Sequence, residues 1–231
     1  MARYDFVAKK KYHCRIMRNY IAEFLGTFAL VFAGTGAVII DQQYHGAITH
    51  VGIAITFGLV IMCMIYAFGD ISGAHFNPSV SIAFTVAGRF PARQLTPYIC
   101  SQVAGAFVAS FALKLLFPGN ELLGATMPAG SGIQSFVMEA ILTFFLMLVI
   151  INVACGSKEQ GMFAGIAIGG VIALEAMFAG PVSGASMNPA RSLSPAMLSG
   201  HMEHLWIYLL APIIGAVTAV PVFKLLQQNK Q

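Results

Sequence analysis

Charged residues are scarce in this chain. Of its 231 residues, only 10% are Asp, Glu, Lys or Arg, whereas 58% are hydrophobic. A typical soluble domain has roughly 25% charged residues, which help to cover its surface. The shortage excludes an ordinary soluble globular domain and indicates a membrane protein.

Cysteine is also rare, and the four copies share no metal-ligand spacing; they are Cys14, Cys63, Cys100 and Cys155. Free thiols are therefore expected. The sequence contains no recognisable nucleophile–base set and no cluster of metal ligands. We predict that the protein is not an enzyme and carries no metal and no cofactor.

Long apolar segments are abundant. Six of them are close to the roughly 20 residues that a helix needs to span a bilayer. They lie at roughly 19–40, 48–69, 94–117, 133–155, 161–180 and 204–226. The first is long enough to span and to remain, so no cleavable signal peptide is expected.

The positive charges are unevenly distributed between the loops. All but two of the 13 Lys and Arg residues, Lys114 and Arg191, fall on one side if both termini are cytoplasmic. The positive-inside rule therefore predicts a multi-pass protein with cytoplasmic N- and C-termini. The short tails favour a plasma (inner) membrane. Because the charges are divided among several loops, no nucleic-acid partner is predicted.

Two polar motifs repeat within the chain. "SGAHFNPSV" at 72–80 returns as "SGASMNPAR" at 183–191, and a Glu-x-x-x-Thr pattern opens each half, at Glu23 and at Glu139. Each half contains three spans, and because three is odd the second half enters the membrane inverted, as in many transport proteins. The predicted organisation is a cytoplasmic segment 1–18, a first repeat 19–117 with its Asn-Pro loop at 72–86, a second repeat 118–226 with its loop at 183–198, and a cytoplasmic tail 227–231.

The apolar segments after each Asn-Pro are too short to span. Residues 77–86 and 188–198 are about half of a spanning helix, so two of them placed end to end would cross the bilayer. Asn is a favoured N-cap, and Pro suits the first helical position. We therefore predict two re-entrant half-helices that meet near the midplane, with Asn77 and Asn188 building one joint site.

Three carboxylates lie within apolar spans: Glu23, Glu139 and Glu175. A carboxylate in such surroundings must be paired or hold a proton. Glu175 has no counterpart in the first half. Two locations remain open for it, against the outer loop or near the outer mouth.

The doubled Asn-Pro loop, the Arg191 that follows its second copy and the paired Glu-x-x-x-Thr resemble the aquaporin (major intrinsic protein) family over residues 19–226. "AGPVSGASMNPARSLSPA" is similar to the nodulin-like intrinsic protein branch and its bacterial-type relatives. The resemblance implies an all-α membrane protein with six transmembrane helices, two re-entrant half-helices and an inverted 3+3 repeat. It also implies a homotetramer in the lipid bilayer, with a pore in each subunit and passive flow of small neutral permeants.

The resemblance further implies roles by position. Asn77 and Asn188 would be the central donors to a passing oxygen atom, and Glu23 and Glu139 would accept hydrogen bonds from the two loops. The selectivity filter would comprise Phe57, Ala176, Ala185 and Arg191. The pore-lining backbone carbonyls would be those of Gly73, Ala74, His75, Gly184, Ala185 and Ser186.

The filter residues favour a wide pore. Strict water channels of the family carry His where this chain has Ala176, and a methyl group in its place widens the opening. Phe57, by contrast, is closer to water channels. A register slip of one residue would place Glu175 or Met177 at the pore instead. The predicted function is a channel for water and small uncharged solutes such as glycerol, urea or metalloid hydroxides, which excludes ions and protons. A strict water channel is the alternative, and a secondary transporter is a more distant one.

Overall fold

The computed structural model describes residues 2–227, with side chains from Ile16 onward, and all its regular elements are helices. In chain order they are α1 Ala2–Leu30, a π-helical turn Val31–Thr35, α2 Gly36–Gln43, α3 Thr49–Ser72, α4 Pro78–Val86, α5 Ala92–Leu116, α6 Gly132–Ala154, α7 Lys158–Met162, α8 Ala164–Ser183, α9 Pro189–Ser199 and α10 Leu205–Gln227. Six stretches of the described residues are long and apolar enough to cross a membrane, and the first runs Ile16–Gln43 through α1, the π turn and α2.

The six spans agree with the sequence prediction to within a few residues at most ends. The N-terminal segment predicted at 1–18 is helical, because α1 begins at Ala2 and continues into the first span; its cytoplasmic location stays a prediction. The side chains of its basic residues before Ile16, and the tail residues 228–231, lie outside the described part of the chain.

The two halves pack as matching sets of helices. α1 packs on α5 in the first half, as α6 packs on α10 in the second, and α3 crosses α8 between the halves. At that crossing Gly58 and Gly169 face each other, and a Cβ added to either would lie 2.5 Å from the carbonyl oxygen of the other. Small residues permit such a close approach of helix backbones, which is typical of membrane interfaces.

The distribution of polarity is the reverse of that in a soluble domain. Large apolar side chains such as Ile55, Phe111 and Phe145 are exposed on the outside of the spans. Fully buried polar side chains lie inside, among them Glu23, Gln102, Ser110, Glu139 and Ser194. The exterior is therefore suited to lipid, and the interior holds the groups that can interact with a polar permeant.

Candidate functional site

Both Asn-Pro loops have the same backbone path. Gly73 is the C-cap of α3 and Gly184 the C-cap of α8, each in the left-handed region with φ 86°. The half-helices α4 and α9 then begin at Pro78 and Pro189, with an Asn as the N-cap of each. Asn77 Oδ1 accepts from the Ser79 N–H at 2.9 Å. The local chemistry of Asn followed by Pro thus begins both half-helices.

The asparagine side chains also bind across to the opposite loop. Asn77 Nδ2 donates to the Met187 carbonyl at 2.8 Å, and Asn188 Nδ2 donates to the Phe76 carbonyl at 2.9 Å. Each carbonyl belongs to the residue just before the other asparagine. Because an amide nitrogen carries two hydrogens, each asparagine keeps one N–H for a ligand. Both asparagines line the central cavity.

The carboxylate of Glu23 holds the first loop. Its Oε1 accepts from the Ser72 hydroxyl at 2.7 Å and from the His75 N–H at 2.9 Å, and its Oε2 accepts from the Phe76 N–H and Gln102 Nε2, each at 2.8 Å. All four partners are donors, so the ionised carboxylate is the form that satisfies them. Glu23 is fully buried.

Glu139 holds the second loop in the same way. Its Oε1 accepts from the Ser183 hydroxyl and the Ser186 N–H, and its Oε2 accepts from the Met187 N–H, all at 2.8 Å. Two tyrosines complete the pattern, because the Tyr98 hydroxyl donates to the Ser72 carbonyl and the Tyr208 hydroxyl donates to the Ser183 carbonyl. Neither tyrosine was among the predicted site residues; their signal was a Tyr in the last span of each repeat.

These hydrogen bonds stabilise an unusual backbone. Ala74, Phe76, Ala185 and Met187 all have φ between 42° and 53°, in the left-handed region. Non-glycine residues adopt it at a cost of roughly 1–3 kcal/mol each, and only where the surroundings impose it. The N–H groups bound by the two glutamates lie within these strained stretches, so the carboxylates offset part of the cost.

Five of the six loop residues predicted to offer backbone carbonyls to the pore line the cavity. They are Gly73, Ala74, His75, Ala185 and Ser186. Within the described part of the chain, their carbonyl oxygens accept no hydrogen bond. Gly184 differs from the prediction, because it is not among the lining residues, and a Cβ added to it would lie 3.1 Å from Thr126 Cγ2.

All four predicted filter residues line the cavity. The Arg191 guanidinium carbon lies 5.2 Å from the centre of the Phe57 ring, and Arg191 Nη1 donates to the Gly124 carbonyl at 3.0 Å. Ala176 and Ala185 line the same cavity with methyl groups. Arg191 is only 4% exposed, so its charge is held within the protein. The Gly124 carbonyl was not foreseen, because it lies in a loop with no motif.

The three α8 residues that the sequence left as alternatives lie in different surroundings. Ala176 lines the cavity, and neither Glu175 nor Met177 does. Glu175 is instead buried at 4% exposure, and its Oε2 has no hydrogen-bond partner among the described residues. Met177 is exposed.

His75 lies further along the cavity wall. Its Nδ1 lies 3.0 Å from the Ser81 hydroxyl, and its ring stacks on Phe84 with the ring centres 4.9 Å apart. These contacts hold the imidazole against α4, beside the first asparagine.

One cavity of about 740 Å³ connects these features. Its lining includes Tyr66, Asp70 and Lys158 as well as Phe57, Arg191 and both asparagines. No group of three or more His, Cys, Asp or Glu side chains that could hold a metal ion occurs in the part of the chain that the structure describes. Six spans, two re-entrant half-helices and an internal cavity that both asparagines line define the class, a membrane channel with its pore inside one chain.

Comparison with known proteins identifies the family. The model of the major intrinsic protein family matches residues 10–223. The chain is 49% identical over 212 residues to aquaporin NIP1-1 of Zea mays, covering 91% of this chain and 75% of that protein. It is 47% identical over 212 residues to nodulin-26 of Glycine max, covering 91% and 78%. The chain therefore belongs to the major intrinsic protein family, and the predicted likeness to its nodulin-like branch is confirmed.

A solved structure supports the fold. The X-ray structure of the aquaglyceroporin from Plasmodium falciparum superposes with a TM-score of 0.80 at 26% identity, covering 91% of this chain and 99% of that one. Together with the six spans, this match confirms the predicted all-α aquaporin-like fold.

Proposed function

We propose that the protein is a passive channel for water and small uncharged solutes such as glycerol, urea or metalloid hydroxides, and that it excludes ions and protons. The observation that carries the proposal is the arrangement of hydrogen-bonding groups along the cavity. Two asparagine amides with a free N–H each lie at its centre, and carbonyls without protein partners flank them.

These groups replace the hydrogen bonds that a permeant loses on leaving bulk water. The carbonyls of Ala74 and Ala185 accept from permeant hydroxyl groups, and the amides of Asn77 and Asn188 donate to the permeant oxygen. Selectivity in such a pore depends on its diameter, on the donors and acceptors that line it and on electrostatic barriers, a principle already formulated for aquaporin-type channels. No conformational turnover is required.

The same centre prevents proton conduction. A water whose oxygen accepts from both asparagine amides turns its two hydrogens away, one toward each end of the pore. Its oxygen can then accept no proton from a neighbouring water, and the chain of hydrogen bonds along which protons would hop is interrupted. The proposal therefore requires both asparagines together.

Cations are repelled by positive charge at two levels. α4 and α9 direct their N-termini at the centre, and each N-terminus is equivalent to roughly half a positive elementary charge. Arg191 adds a full charge at the filter. At an effective dielectric constant near 20, a unit charge at about 4 Å interacts by roughly 4 kcal/mol, enough to slow cation entry by orders of magnitude.

The filter geometry bears on the size of the permeant. Ala176 and Ala185 provide only methyl groups, which favours solutes larger than water. The 5.2 Å contact between Arg191 and Phe57 favours the narrower alternative, a strict water channel, because it keeps an aromatic ring at the filter.

The assembly and location are part of the proposal. The chain forms a homotetramer in the plasma membrane with both termini in the cytoplasm. The family likeness supports the tetramer, and the Lys and Arg distribution supports the orientation. Light scattering of the detergent-solubilised protein would reveal a monomer if the tetramer is wrong.

Stopped-flow light scattering on proteoliposomes tests the function. A sucrose gradient measures water efflux as shrinkage, and a glycerol gradient adds re-swelling as glycerol enters. Fast shrinkage followed by fast re-swelling supports the wide channel. Fast shrinkage alone would leave the strict water channel, and rates equal to those of protein-free liposomes would refute a channel function.

A further inference from the structure

The first span contains a π-helical turn, Val31–Thr35, between α1 and α2. It contacts α3 and α5, and Val31, Gly34 and Thr35 within it are buried. A π turn inserts one extra residue and rotates the side chains that follow, and such turns occur frequently at functional sites. At the end of the turn, Gly34 contacts the filter residue Phe57, and Thr35 contacts Gly124, whose carbonyl binds Arg191.

Gly34 lies against the ring of Phe57. A Cβ built on Gly34 would be 2.2 Å from Phe57 Cε1 and 2.4 Å from Cδ1, closer than atoms can approach. The ring therefore occupies the space that any larger residue at position 34 would fill. Arg191 lies over the same ring at 5.2 Å, so the ring is bounded by the π turn and by the filter arginine.

Thr35 lies against the residue that holds Arg191. A Cβ built on Gly124 would be 2.5 Å from Thr35 Cγ2 and 3.1 Å from the Thr35 carbonyl oxygen. Gly124 has φ 66°, and its carbonyl accepts the 3.0 Å hydrogen bond from Arg191 Nη1. Gly34 thus contacts the filter side chain Phe57 directly, and its neighbour Thr35 contacts the residue that binds the filter side chain Arg191.

We propose that this turn determines the width of the filter, with Gly34 positioning Phe57 and Thr35 positioning Arg191 through Gly124. The inference rests on the proposed channel function and adds two positioning residues outside the pore wall. A methyl group at position 34 displaces the Phe57 ring away from the π turn, and displacement toward Arg191 and the lumen narrows the filter. Glycerol, being wider than water, is obstructed first.

The test compares Gly34→Ala, Phe57→Ala and the double variant by stopped-flow permeability, normalised to the protein content of the liposomes. Gly34→Ala is expected to lower glycerol permeability about tenfold, which corresponds to a barrier increase of ~1.4 kcal/mol. Water permeability falls less, so the glycerol-to-water ratio drops. In the Phe57→Ala background, Gly34→Ala has no ring to displace. The glycerol-to-water permeability ratio of the double variant should therefore equal that of Phe57→Ala alone.

Gly36→Ala is the matched control on the same span, since its added Cβ would lie 3.2 Å from Leu113 Cδ2 and not near the filter. Its ratio should equal that of the wild type. An unchanged ratio in Gly34→Ala, or an equal fall in the Phe57→Ala background, would overturn the proposal. A wild-type protein without permeability would instead refute the channel function itself.

If Gly34→Ala does not accumulate in membranes, Thr35 provides the test. Thr35→Ala removes the Cγ2 methyl that packs on Gly124, which loosens the support of Arg191 and raises the glycerol-to-water ratio. Thr35→Val retains that methyl and should restore the wild-type ratio. Identical ratios in Thr35→Ala and the wild type would contradict the role of the turn.

Discussion

Replacement of Glu139 by Gln would test how the second loop is held. The three hydrogen bonds to the carboxylate come from donors only, two to Oε1 and one to Oε2. A Gln oxygen can keep the two from Ser183 and Ser186, but the Gln NH₂ group then faces the Met187 N–H. That donor is left buried without an acceptor.

The magnitude follows from these three bonds. A buried N–H without a partner costs about 1–3 kcal/mol, and two charge-assisted bonds that become neutral lose about 1 kcal/mol each. The total is about 3–5 kcal/mol. For a chain of this length, such a loss lowers the thermal unfolding midpoint by roughly 10 °C. Water permeability should fall too, because the Met187 carbonyl holds the Asn77 amide.

The midpoint is measured on detergent-solubilised protein, and permeability in proteoliposomes. Glu159→Gln is the matched control, because Glu159 lies on the short helix α7, which has no buried residues. It should leave both quantities unchanged. A Glu139→Gln variant with the wild-type midpoint and the wild-type permeability would refute the role given to these hydrogen bonds.

Three further variants have distinct expected outcomes. Ala176→His places an imidazole in the filter, so glycerol re-swelling should disappear while water shrinkage persists in stopped-flow traces; retained re-swelling would contradict the assigned register. Arg191→Val combined with His75→Ala removes the filter charge and a polar wall, and should increase proton leak, measured with a pH-sensitive dye trapped in the liposomes; unchanged exclusion would contradict the account of selectivity. His50 Nε2 lies 2.7 Å from the Met177 carbonyl, which has no helical donor because the residue four positions on is proline. His50→Ala should therefore cost about 1 kcal/mol and lower the unfolding midpoint by roughly 3 °C without altering the glycerol-to-water ratio, and an altered ratio would show a direct role in permeation.

Much of the architecture was predictable because it depends on local properties. The length of an apolar segment determines whether it can span, and that property is read from consecutive residues. The starts of α4 and α9 are equally local, because Asn accepts from N–H groups two or three residues ahead and Pro has no N–H that would need an acceptor. The family motifs likewise pointed to Glu23 and Glu139, the residues that the structure places against the two loops.

Which residue of α8 faces the cavity could not be predicted from local sequence. The sequence left Glu175, Ala176 and Met177 as alternatives for the pore wall. Successive residues of a helix point about 100° apart, so only the packing of α8 on its neighbours determines which one faces the cavity. In the structure Ala176 lines the cavity, and its role in the filter stays a prediction.

By itself, the sequence determined six spans, an inverted repeat, two half-helix starts and the residue types at the site. Only the tertiary structure decided the pairings between distant segments: Asn77 with the Met187 carbonyl, Arg191 with the Gly124 carbonyl, and the π turn with Phe57. The physical reason is that caps and apolar length act between neighbours in the chain. A hydrogen bond between residues a hundred positions apart depends on how the two halves meet, and no short stretch of sequence contains that geometry.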